Sequence, residues 1–205
     1  MTRKDLNGAN STGTEAHFTG VAALLTPGVM RALTAATVAV GTNALSVMAQ
    51  ARGRAWERAC GEHALACHAA AIAPAWTWFL LEQQRIERPR TNPQGGWLSI
   101  LGGTLTIIGN CLLVAGFRRV GPGALVNADL FSDYPREWQS GGVYAPVADP
   151  ISLGYGLALA GRAVRLRSGG TLVVAAWLSA LLLAVEAPVE RWAHPRARSS
   201  SHVRS

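Results

Sequence analysis

The chain has 205 residues, 49% hydrophobic and only 15% charged, against roughly 25% charged in ordinary soluble domains. Nineteen basic and twelve acidic side chains leave a net charge of +7, but the arginines come in threes between uncharged runs rather than in one stripe, which argues against a nucleic-acid partner. Cys60, Cys67 and Cys111 are too few and too scattered for a disulfide scaffold.

Residues 1–20 are rich in Gly, Thr, Asn and Ser and read as a disordered tail. No apolar core precedes Val21, so they do not make a signal peptide. The first run without Asp, Glu, Lys or Arg covers 32–51 and carries Asn43, which suits an interhelical hydrogen bond. Arg52, Arg54 and Arg58 follow. The second run, 63–81, begins amid Cys60, His63, Cys67 and His68. Positions 60, 63 and 67 share a helix face, but one straight helix cannot wrap a tetrahedral ion. The expectation is therefore packing against a neighbouring helix, with no metal site. After Arg85, Arg88 and Arg90 comes a third run, 95–117, carrying Asn110, another interhelical candidate. At ~1.5 Å rise per residue this run reaches about 34 Å, enough to cross a hydrocarbon core.

Gly141, Gly142, Pro146 and Pro150 then interrupt any continuous helix. The stretch 150–161 is apolar but short and predicts a partial or re-entrant helix, with 141–154 folded back against the last span. Arg162, Arg165 and Arg167 lead into the most apolar run, 168–185, and residues 193–205 read as a second disordered tail. The expected architecture is an all-α integral membrane bundle of about four to five hydrophobic helices over 21–192. A soluble helix would keep a polar face, and these runs show none. Trp76, Trp78, Trp97 and Trp192 fall near run ends, as in an aromatic belt. The arginine counts are nearly equal on alternate sides, so charge does not choose an orientation.

Three acids stand out. Glu186 closes the last run with no cation within a helical turn, Asp149 opens the short stretch, and Asp129 follows the third run. An acid at a membrane boundary costs free energy unless it is paired, so each is a candidate site residue. Glu190 lies beside Arg191 and reads as an interfacial ion pair.

From about 33 to 196 the chain resembles the phospholipid N-methyltransferase family. Three segments carry the resemblance: Asp129 and Phe131 after Gly121 and Gly123; Pro150 and Gly154, where the family has Asn-Pro-Met-Tyr-x-Gly; and Glu186-Ala187-Pro188, where it has Glu-Glu-Pro. Ala148-Asp149-Pro150 stands where the related isoprenylcysteine carboxyl methyltransferases would show Arg-His-Pro, which sets the chain nearer the phospholipid branch. Ile107-Ile108-Gly109 aligns with the family's Gly-x-Gly, keeping the second glycine. The resemblance implies a multi-pass membrane enzyme with its active site on the cytoplasmic side, using S-adenosylmethionine to methylate a lipid, foremost the amine of phosphatidylethanolamine. Another amphipathic acceptor, such as a prenylcysteine-like thiol or carboxylate, and a non-catalytic descendant of the fold are the alternatives. Gly109, Pro150, Gly154 and Glu186 would bind the donor. Asp149 or Asp129 would take the amine proton, and arginines such as Arg118, Arg119 and Arg165 would hold the lipid phosphate.

Overall fold

The computed structural model describes residues 23–87, 96–121, 127–131, 142–147 and 149–193; both predicted tails lie outside them, apart from Ala193. Among the described residues all regular structure is helical: α1 (Pro27–Gly53), α2 (Ala55–Cys60), α3 (Ala64–Ile86), α4 (Trp97–Val120), α5 (Ala128–Phe131), α6 (Pro150–Arg165) and α7 (Gly169–Leu181). A π-helical turn, Leu182–Glu186, continues α7 into α8 (Ala187–Ala193). Among the described residues, four helical stretches are long and apolar enough to cross a membrane: Pro27–Gly53, Ala55–Ile86, Trp97–Val120 and Gly169–Ala193. Each covers most or all of one of the uncharged runs.

Local chemistry sets the helix ends. Thr26 Oγ1 accepts from Val29 N at 3.3 Å while Pro27 occupies the first turn, where no donor is needed. Arg54 stops α1 in the left-handed region at φ 49°, and Gly61 at φ 56° separates α2 from α3. Asp149 caps α6 through Ser152 N at 2.9 Å, and Ser168 caps α7 through Thr171 N at 3.1 Å.

The bundle has two ends. At the Pro27 end of α1, Arg31 meets Glu82 near the close of α3; further along, Ser46 meets His68 near its start, so α1 and α3 are antiparallel. Along the α7–α8 rod, Trp177 donates to Thr37 and Glu186 accepts from Asn43, so the rod runs parallel to α1. The core between them is built from small residues of α1, Ala32, Ala35, Ala36 and Ala39, against Phe79, Leu159, Val174 and Leu178.

Here α6 departs from the expectation. It is one continuous helix of 16 residues, about 24 Å long, running antiparallel to α4 rather than turning back as a re-entrant segment. Gly102 faces Gly161 and Arg165, Gly109 faces Gly154 and Ala158, and Gly116 faces Ile151 and Pro150. Glycines recur every seven residues on each helix, two turns apart on one face. A Cβ on Gly109 would stand 2.5 Å from the carbonyl oxygen of Gly154, and one on Gly161 2.5 Å from Thr106 N. Only hydrogen at these positions lets the two backbones touch, the small-residue packing that serves where apolar burial gives no drive between helices. The contact runs along most of the helix, from Ile151 to Arg165. Pro150 and Gly154 thus face α4 and not, as expected, the last span. The α7–α8 rod reaches α6 through other residues, such as Gly156 beside Ser179.

Candidate functional site

The Gly53 end of the bundle holds a polar cluster inside an otherwise apolar frame. Its scaffold is α1, where Asn43, Ser46 and Gln50 fall at intervals of three and four, hence on one face, and all are buried. Ser46 Oγ is 2.6 Å from His68 Nδ1 on α3 and accepts from Trp56 Nε1 at 2.8 Å. Gln50 donates to the carbonyl oxygen of Leu130 at 2.9 Å and to Glu57 Oε1 at 2.5 Å, and accepts from Trp56 N at 3.2 Å. His68 is fully buried and stacks on Phe131 with ring centroids 4.3 Å apart, while its Nε2 has no hydrogen-bond partner. Arg52 lies over the Trp192 ring at 5.3 Å, tying α8 to the end of α1.

Glu186 enters this cluster from the last rod. Pro188 has no N–H and its ring crowds the carbonyl four residues back. The wider π turn over Leu182–Glu186 directly precedes it and accommodates this, and such turns recur at functional positions. The half-buried Glu186 accepts a hydrogen bond from Asn43 Nδ2 at 2.7 Å. Asn43 is 3% exposed, and its Oδ1 has no partner. Among the described residues no cation forms an ion pair with Glu186; the charges that act on it are the carboxylates of Glu190 and Asp149. Asp149 and Glu186, from two separate segments of the resemblance, therefore share one end of the bundle.

The other predicted site residues divide. Pro150 starts α6 at this end but packs on α4. Gly109 and Gly154 lie face to face in the α4–α6 contact, where the opposing backbone fills the space a nucleoside would need. Arg118 and Arg119 close α4 at the same end as Asp149, because Gly116 sits on Ile151. Arg165 is at the opposite end, beside Gly102, so the three arginines cannot hold one phosphate together. The side chain of Asp129 lies outside the described residues. Asn43 makes its expected bond between helices, whereas Asn110 lines a cleft on the exposed side of α4. Among the described residues no three His, Cys, Asp or Glu side chains are grouped to hold a metal ion.

Sequence reasoning passed over Ser46, Gln50 and Trp56 and took His68 for packing alone. The readable signal was the polar spacing 43, 46, 50 inside a run without charge. Comparison of the chain with known protein families, with curated proteins and with solved structures finds no match.

Proposed function

We propose that this chain is a membrane enzyme that transfers a methyl group from S-adenosylmethionine to a lipid amine, with Glu186 holding the donor's positive charge. One observation carries the reading: a half-buried carboxylate bonded to a neutral amide, with two further carboxylates acting on it and no cation paired to it among the described residues. Carboxylates drawn together at a low-dielectric boundary favour a cationic ligand. The donor offers a sulfonium and an ammonium, and the unpartnered Asn43 Oδ1 offers the ammonium a second acceptor beside Glu186.

Bound there, S-adenosylmethionine would supply an electrophilic methyl group for the lipid amine, with Glu186 and Asn43 holding its positive charge. Positioning and exclusion of water supply much of the acceleration. The attacking amine must first lose a proton, and Asp149 is the base in this reading, directly or through water. Arg118 and Arg119 close the neighbouring helix on the same side and supply positive charge for a lipid phosphate.

A second reading, a membrane protein of this architecture without methyl transfer, is favoured by the filled space between Gly109 and Gly154. Calorimetric titration of the purified protein with S-adenosylmethionine, followed by transfer of labelled methyl groups into phosphatidylethanolamine vesicles, separates the two. Saturable binding with lipid labelling supports the enzyme. No heat and no labelling leave the second reading.

A further inference from the structure

A cleft of about 410 Å3 opens between α3, α4 and α6 toward the Pro27 end, away from Glu186. Its polar lining includes Gln83, Glu87, Asn110, Tyr155, Arg162 and Arg165. Along α6 it runs from Arg165 to Tyr155, ten residues, about 15 Å from the helix end toward mid-depth. Leu80 and Leu113 give it apolar walls, and beside it α4 turns Ile107 and Val114 outward, 65% and 51% exposed. On a span that faces hydrocarbon, polar groups at this depth are costly unless something covers them.

The hydrogen bonds inside the cleft are incomplete. Gln83 is 4% exposed; its Nε2 donates to Glu87 Oε1 at 2.9 Å, but its Oε1 has no partner. Arg162 is ion-paired with Glu87, which balances one of the two guanidinium groups. Arg165, one turn further along α6 on the same face, has no carboxylate partner among the described residues. The cleft therefore presents one uncompensated positive charge at its mouth, a buried acceptor in want of a donor, and apolar walls leading inward.

We propose that this cleft binds an anionic phospholipid with a hydroxylated headgroup, of the phosphatidylglycerol class. Its phosphate lies on Arg165, a headgroup hydroxyl donates to Gln83 Oε1, and the first part of its acyl region runs between Leu80 and Leu113. A zwitterionic headgroup would bring a cation to a site whose carboxylate is already engaged by Arg162, and choline has no donor for Gln83. This lipid is distinct from any methyl acceptor at Glu186, and the site does not depend on methyl transfer.

The test is native mass spectrometry of the full chain in detergent, titrated with phosphatidylglycerol or phosphatidylcholine of matched acyl chains. The expected result is preferential retention of phosphatidylglycerol, weakened at least about tenfold by Arg165→Gln, the loss of one charged hydrogen bond. Gln83→Leu narrows the preference between the two lipids. Arg167→Gln, which removes a charge at the same end but outside the cleft, changes neither. Equal retention of both lipids overturns the proposal, as does equal loss in Arg165→Gln and Arg167→Gln. Glycerol 3-phosphate displacing the lipid at comparable concentration overturns it in favour of a soluble anion. If Arg165→Gln does not fold, Gln83→Leu decides alone: an unchanged lipid preference in that variant rejects the site.

Discussion

Asn43 donates a 2.7 Å hydrogen bond from Nδ2 to Oε1 of Glu186, joining the first and last spans across 143 residues of sequence. The acid that closes the most apolar run thus meets the one amide in the first run that shares its depth. The bond leaves Asn43 Oδ1 unused.

Glu186→Gln keeps an oxygen for Asn43 to bond and removes only the charge. Loss of a carboxylate that faces a ligand cation should weaken S-adenosylmethionine binding by about two to three orders of magnitude. Glu190→Gln should weaken it only slightly, and Asn43→Ala should fall between. Calorimetric titration in detergent with the donor and with S-adenosylhomocysteine measures all three. A larger loss at Glu190 than at Glu186 would move the donor's partner to the outer acid.

Gly109→Ala should lower the melting temperature in detergent, because its Cβ meets the α6 backbone and overpacking costs roughly 1–3 kcal/mol. Gly103→Ala on the same helix, with nothing within 4 Å of its Cβ, should be neutral or slightly stabilising. Gly154→Leu should fail on packing grounds, since its Cβ would stand 2.7 Å from Gly109 O, and so cannot report on donor binding. Equal melting temperatures for the Gly109 and Gly103 variants would contradict the α4–α6 contact.

Glu82 is 2% exposed and bonds both Arg31 and Arg85, whose side chains are more than half exposed. Removing both arginines strands a carboxylate, whereas removing the carboxylate frees two solvated cations. The Arg31→Ala/Arg85→Ala pair should therefore cost roughly 2 kcal/mol more than Glu82→Gln alone. Adding Glu82→Gln to the double variant should recover most of the loss. Additive melting shifts across this cycle would show that the three side chains act independently.

The course of α6 makes a topological prediction. It travels the length of the α4 contact, and the last rod runs parallel to α1, so residues at the Pro27 end and at the end of α8 lie at opposite ends of the bundle. In a cysteine-free variant, Leu24→Cys and Arg191→Cys should react with an impermeant maleimide from opposite sides of sealed vesicles, and Arg58→Cys from the same side as Arg191→Cys. Labelling of Leu24→Cys and Arg191→Cys from one side would mean that α6 does not pass through.

The sequence by itself determined that this is an all-helical chain with four stretches able to cross a membrane. Long runs without charge admit few other structures, since backbone polar groups in hydrocarbon must be satisfied within the segment. Glu186 and Asn43 were both legible as polar groups that needed partners in an apolar setting. That they are each other's partners was not, because nothing in local periodicity says which spans adjoin or in what register. The same limit explains α6. The apolar stretch 150–161 looks too short for a span, and only the glycine faces of α4 and α6, brought into register, show that the helix continues along α4 to Arg165. The spacing of Gly102, Gly109 and Gly116 was written in the chain, but a glycine that admits a ligand and one that admits a helix are identical in sequence. The three arginines were equally ambiguous. Charge and position along the chain do not reveal the end of the bundle to which a side chain belongs, and the antiparallel course of α6 is what sends Arg165 to one end while Arg118 and Arg119 remain at the other.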